Sequence, residues 1–294
     1  VAKEEDIQFN LEKRGILHFY HNKLDYEVAT KTNFLLREGG LERNAVTPEE
    51  IKSIEPSLTG EYYGGFYCPG DATGDIHKFT TGLAKASEKY GVKYLIGMEV
   101  SDVQHHAKGV TVLYHASNEN VLLNTATVES LEADAIVVCA GVGSYHLANL
   151  LGDRVNIYPV KGYSITLNLN DQDSVKHAPW VSLLDESAKI VTSRLGADRL
   201  RVAGTAEFNG YNLDIRADRI QPLTDWVNKN FSISTENVVP WAGLRPMMPN
   251  MMPTVRRGKR ERVFYNTGHG HLGWTLSAAT AVMISQEVAS QHPV

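Results

Sequence analysis

Residues 262–294 carry the pattern in this sequence most suggestive of chemistry. Residues 262–266 (RVFYN) read as a strand, 268–273 (GHGHLG) as a glycine loop and 274–289 as a helix. A strand that feeds a glycine loop and then a helix start gathers backbone N–H groups at the positive end of a helix dipole. That arrangement suits an anion or an electron-rich ring. GHGHLG also matches the dinucleotide fingerprint G-x-G-x-x-G. The fingerprint, however, opens a βαβ unit of about 30 residues and needs an acidic residue about 20 positions further on. The sequence stops at Val294 without room for a second strand, so the loop is expected to close a site whose ligand is held mainly by other segments. The helix opens on small or apolar residues (Trp274, Leu276, Ala278, Ala279, Ala281) and turns polar from Ser285 onward. Its first turns are therefore expected to be buried and its tail wet.

Other residue types capable of chemistry do not assemble into a recognisable set. His269 and His271 lie two apart with no Cys, Asp or Glu partner at a metal-ligand spacing, so no metal site is expected, and they read as solvated loop residues. His105 and His106 read the same way. No Ser–His–Asp, Cys–His or paired-carboxylate arrangement stands out. Such an absence is consistent with chemistry done by a bound cofactor, which the protein positions.

The 294 residues are 43% hydrophobic and 21% charged, enough for a full core and one or two domains. A formal net charge of −5 argues against a nucleic-acid partner. Apolar runs such as residues 135–142 are far shorter than the about 18 residues of a membrane span. The 2 cysteines, Cys68 and Cys139, are too few for a disulfide framework, and Cys139 sits in an apolar run as a small hydrophobe. The expected setting is a reducing cytoplasm, free in it or peripheral to the inner face of a membrane. The sequence begins at Val1 and runs at once into Lys3, Glu4, Glu5 and Asp6, which reads as the continuation of something longer.

The elements that would position a site follow from periodicity and caps. Residues 7–21 suggest two strands about Gly15, and residues 24–36 a helix ended by Gly39 and Gly40. Thr47, Pro48 and Glu50 spell a capping box with Pro at the first helical position, and Pro56 stops that helix. Residues 75–90 step along one helical face through Ile76, Phe79, Leu83, Ala86 and Tyr90, with Gly91 as the end. Strands are expected at 92–96 and 135–140, and a hairpin at 110–114 and 121–123. Beyond Tyr158 the texture becomes β, with strands at 164–169, 189–193 and 200–205 and a helix at 220–230. Residues 241–255 (WAGLRPMMPNMMPTV) read as a loop dense in Pro and Met.

Five segments in order, residues 47–58, 133–144 (ADAIVVCAGVGS), 158–167 (YPVKGYSITL), 241–255 and 266–280 (NTGHGHLGWTLSAAT), together resemble the FAD-dependent D-amino-acid dehydrogenase, glycine oxidase and sarcosine oxidase group. The local match is nearest to the small-subunit type of D-amino-acid dehydrogenase. The resemblance implies a mixed α/β fold. In it an FAD-binding-type domain (66–153 and 251–294) interleaves with a β-rich substrate domain (1–65 and 154–250). In that family the adenine dinucleotide sits on an N-terminal βαβ unit bearing G-x-G-x-x-G. Nothing before Asp75 offers one, so the resemblance implies a chain lacking that unit and its pyrophosphate cradle.

By the same resemblance Arg245 clamps the substrate carboxylate, a task suited to a planar bidentate donor. Tyr163 and Lys161 open the β-rich stretch, where ligands tend to sit, and Tyr163 either faces the substrate or packs in the core. Gly268, His269, Gly270, His271, Leu272, Gly273, Trp274 and Thr275 lie at the pyrimidine side of the flavin. There N–H groups would stabilise the negative charge of the reduced ring. Ala140 and Gly141 approach the dinucleotide, and Val100 places backbone groups against the adenine. Met247, Met248, Met251 and Met252 line a pocket or fill a core loop. The expected activity is oxidation of a D-amino acid, or a glycine-like amine, to an imine and then a 2-oxo acid. The expected acceptor is a quinone or electron-transfer partner, or oxygen in an oxidase. The alternative is a folded remnant without a competent FAD site.

Overall fold

The structure, a computed structural model, describes residues 1–117 and 127–291; the expected strand at 121–123 lies outside them. The chain divides into two compact units. The first comprises Val1–Gly91, Gly162–Glu207 and Leu213–Gly243, the second Val92–Lys161, Phe208–Asn212 and Leu244–Val294.

In chain order the first unit opens with β1 (Ile16–Tyr20), α1 (Lys23–Glu38), β2 (Asn44–Val46), α2 (Pro48–Ile54), β3 (Gly64–Cys68) and α3 (Ile76–Ser87). The second unit follows with β4 (Met98–His106), β5 (Gly109–Ala116), β6 (Glu129–Ala133), β7 (Ile136–Val138) and α4 (Ser144–Leu150). Then come β8 (Tyr158–Asn168), α5 (Gln172–His177), β9 (Ser182–Asp185), β10 (Ile190–Arg194), β11 (Arg199–Phe208), α6 (Ala217–Asn230) and β12 (Val239–Met247), followed by β13 (Thr254–Arg257), β14 (Val263–Thr267) and α7 (Gly273–Gln291). An eight-stranded mixed sheet has the order β12-β8-β11-β10-β9-β1-β3-β2, with β1 antiparallel to β3 and parallel to β9. Two three-stranded sheets, β13-β14-β7 and β4-β5-β6, belong to the second unit.

Local chemistry sets several boundaries where the sequence places them. The Glu50 amide donates to Thr47 Oγ1 at 3.2 Å and the Thr47 amide to Glu50 Oε2 at 2.7 Å, a complete capping box. Asp75 caps α3 by accepting from the His77 and Lys78 amides, and Gly91 (φ +85) ends the 3₁₀ turn that follows. Other expectations fail because a strand needs a partner. Residues 92–96 form no strand, and residues 7–12 contribute only the bridge Glu12–Thr73. Residues 241–247, expected as loop, instead complete β12 against β8.

The core of the first unit gathers Leu17, Phe19, Ile165, Val202, Leu223 and Val227 with their neighbours. Polar anchors cross it. Asp185, 2% exposed, accepts from His21 Nε2 (3.0 Å), Trp226 Nε1 (2.8 Å) and the Ser187 and Ala188 amides, tying α6 to the sheet. Burial pushes this carboxyl up, yet the bonds from His21, Trp226 and the backbone outweigh it and hold the group below its ordinary value. Glu55 likewise accepts from the Trp180 and Val181 amides, and Arg194 donates to the carbonyls of Val175, Ala178, Gly196 and Ala197.

The second unit's core joins Val103, Val138, Ala148, Leu151, Val263 and Tyr265. Asp153 accepts from the Tyr265 hydroxyl (3.1 Å) and the Lys259 amide (3.0 Å), bracing the β13–β14 turn. The burial expected for α7 is not observed. Only Thr280 and Ile284, one turn apart, fall to 5% and 7% exposure, while Trp274, Val282 and Met283 are exposed. Cys139, expected to be buried, is exposed as well.

Replacing Asp185 by Ala leaves the Trp226 N–H and two backbone amides without their acceptor. A urea melt of the chain is expected to show a loss of about 3 kcal/mol at neutral pH. Because the folded-state pKa of Asp185 is depressed, its stabilisation is present above the ordinary aspartate range near pH 4 and fades as pH falls through and below it. A wild-type midpoint for the variant would contradict this account.

Candidate active site on the glycine loop

Within the second unit, β14 ends at Thr267 and the chain turns sharply through Gly268 (φ +77) and Gly270 (φ +56) before α7 begins. Both angles are left-handed and favour glycine. The space is closed as well. A Cβ on Gly268 would lie 2.7 Å from Met248 Cγ, and one on Gly270 2.7 Å from Met247 Sδ. The Gly270 amide donates to the Pro246 carbonyl at 3.0 Å. The glycine loop is thus seated on the end of β12, one residue beyond Arg245. Arg245 is half-buried on that strand.

A second fastening joins the turn after β7. The Thr267 and Ser144 hydroxyls lie 2.7 Å apart, both groups buried, and Thr267 Oγ1 also donates to the Gly141 carbonyl at 3.4 Å. Gly141 (φ +55) has open space where a Cβ would stand. Asn266 Oδ1, on β14, is buried without a hydrogen-bond partner. His269 Nε2 lies 3.0 Å from Thr280 Oγ1, and burial lowers the pKa of this ring, favouring the neutral imidazole. His269 is therefore a bonded residue rather than the solvated one expected, whereas His271 is exposed.

The structure thus gathers Arg245, Ala140–Gly141 and the 268–275 loop on connected segments of one unit. Val100 stands apart on β4, 37% exposed and paired with Tyr114 across the sheet. Tyr163 is 1% exposed in the first unit's core, its hydroxyl donating to Glu207 Oε2 at 2.5 Å. Lys161 is fully buried and donates to Asn212 at 3.1 Å. Thr267, Ser144 and Asn266 went unnoticed in the sequence. The signal for the first two is faint, a hydroxyl at the end of each of two strand–turn–helix segments.

The second unit thus combines parallel β7–β14 pairing with a glycine turn that opens a helix, while a large mixed sheet runs through the first. The family model for "FAD dependent oxidoreductase" matches residues 1–287. D-amino acid dehydrogenase 3 of Mesorhizobium japonicum is 54% identical over 296 residues, covering 100% of this chain and 69% of that protein. A D-amino acid dehydrogenase of Dechloromonas aromatica is 36% identical over 299 residues, with 100% and 69% covered. Among solved structures, glycine oxidase from Geobacillus kaustophilus superposes with a TM-score of 0.83 at 18% identity, covering 100% of this chain and 75% of that one. The chain belongs to the FAD-dependent oxidoreductase family, and its mixed α/β fold is that of the family.

The residues present fit the ring end of a flavin. The start of α7 adds a positive potential, and Asn266 Oδ1 has, among the described residues, an unmet need for a donor. Among the described residues no helix is long and apolar enough to cross a membrane.

Gly268→Ala should lower stability by about 1–3 kcal/mol, through a left-handed alanine and a collision with Met248. Adding Met248→Ala should recover only part of this, because the backbone strain persists. Denaturant midpoints check both, and full recovery in the double variant would show that the turn conformation carries no cost.

Proposed function

We propose that the chain oxidises a D-amino acid to its imine, which water converts to a 2-oxo acid and ammonia. The bond from the Gly270 amide to the Pro246 carbonyl carries this reading, because it sets the Arg245 strand against the loop best suited to a flavin ring. The names of the relatives at 54% and 36% identity support the substrate class. In this reading Arg245 holds the α-carboxylate in a bidentate pair and so fixes Cα for hydride loss. The flavin, when bound, supplies the two-electron acceptor. Amides of residues 268–275 other than Gly270 and Leu272, which bond Pro246 and His269, stabilise negative charge on the ring together with the α7 N-terminus. Ala140 and Gly141 serve the same cofactor, Val100 its adenine end, and the neutral His269 leaves the loop without a competing charge.

The second unit is assigned to the flavin and, through Arg245, to the substrate carboxylate. The acceptor that reoxidises the flavin is a quinone or an electron-transfer partner, a choice favoured by the dehydrogenase names of the relatives. A reducing, cytoplasmic setting is supported by two free cysteines.

Arg245→Met should reduce kcat/KM for a D-amino acid with a dye acceptor at least about 100-fold, the loss of a charge-assisted bidentate pair. Arg245→Lys should recover only part of it. Near wild-type turnover in Arg245→Met would remove Arg245 from the site.

A further inference from the structure

The first unit holds a cavity of about 630 Å³, and every residue lining it belongs to that unit. This volume lies within the about 300–1,000 Å³ range of small-molecule sites. At its wall sits Arg43, only 4% exposed. Its guanidinium carbon lies 4.6 Å from the Phe66 ring centroid, Nη2 donates to the Tyr20 hydroxyl at 3.2 Å, and Nε is buried with no partner. Among the described residues no carboxylate pairs with it. The neighbouring Cys68 does not supply an anion. Burial, and then the Asp71 carboxylate, push its thiol up, so it stays protonated.

A buried guanidinium without a counter-charge is costly unless something anionic is delivered to it. The rest of the lining indicates what that is. Glu186 is already engaged by His18 Nδ1 (3.1 Å) and Lys189 Nζ (3.0 Å), and Asp25 by Ser187 Oγ (3.1 Å). Val28, Leu36 and Leu41 present exposed apolar surface to the same cavity. Asp71 stands on the same wall, where it accepts from the Cys68 thiol and keeps further lone pairs for a donor.

We propose that this cavity is a second small-molecule site, which binds a monocarboxylate with a short apolar side chain. The carboxylate meets Arg43, the side chain meets Val28, Leu36 and Leu41, and Asp71 accepts an α-ammonium where one is present. An amino acid and its deaminated 2-oxo acid share the first two features. The residues lining it belong to the first unit, whereas Arg245 belongs to the second.

The test is calorimetric titration of the full chain with D-leucine, L-leucine, the 2-oxo acid of leucine and isopentylamine, in wild type, Arg43→Met, Val28→Trp and Arg245→Met. Saturable binding of a carboxylate ligand is expected, weakened at least tenfold by Arg43→Met and by Val28→Trp and retained in Arg245→Met. Tighter binding of the amino acids than of the 2-oxo acid identifies the zwitterion as ligand and Asp71 as its partner, while the reverse identifies the 2-oxo acid. Val28 is 59% exposed on α1, so its replacement fills the cavity mouth without disturbing the core if Arg43→Met fails to fold. The proposal is overturned by binding of isopentylamine alone, by no saturable binding, by Val28→Trp binding as wild type does, or by loss of all carboxylate binding in Arg245→Met.

Discussion

The contact between the glycine loop and the end of β12 is the constraint on which the second unit's site depends. Gly270 donates to Pro246, while Gly268 and Gly270 lie so close to Met248 and Met247 that neither can carry a side chain without something shifting. That closeness lets one short strand segment present both Arg245 and the floor of the loop. Thr267 extends the arrangement by bonding both the Gly141 carbonyl and the Ser144 hydroxyl, so β14, the turn after β7 and α4 share one fastening. The left-handed angles at Gly268 and Gly270 accompany this packing, and both favour glycine.

The first unit depends on a different device. Asp185, Glu55 and Arg194 are charged groups almost removed from solvent, and each is offset by several short hydrogen bonds to backbone or ring donors and acceptors. Arg43 differs from these three, with one hydroxyl partner, one aromatic ring and a buried Nε that meets no partner among the described residues. Its place on the wall of the cavity sets that imbalance beside space for a ligand.

How legible each element was depended on where its determinants lie. The capping box at Thr47, the Gly91 stop and the strand–loop–helix at residues 263–291 could be read because backbone chemistry within a few residues decides them. Residues 92–96 have strand-like side chains but no partner strand among the described residues, and residues 241–247 look like a loop until β8 pairs with them. Burial misled for the same reason. Val282 and Met283 on α7, and Leu24, Phe34 and Leu35 on α1, have core-type side chains that this chain leaves exposed. At the site, the glycines and Arg245 stood out by type and motif. The Thr267–Ser144 bond joins residues 123 apart in sequence and could be found only in the folded chain.

The central claim is that the loop at residues 268–275 and Arg245 together make a flavin-dependent amino-acid site. Its most direct test is a visible-absorbance titration of the purified chain with FAD, followed under anaerobic conditions by a D-amino acid and then, separately, by its L-enantiomer. The account predicts a saturable perturbation of the flavin band on binding, and bleaching by the D-form alone. A flavin spectrum identical to that of free FAD at every protein concentration, or bleaching indifferent to the enantiomer, would contradict it.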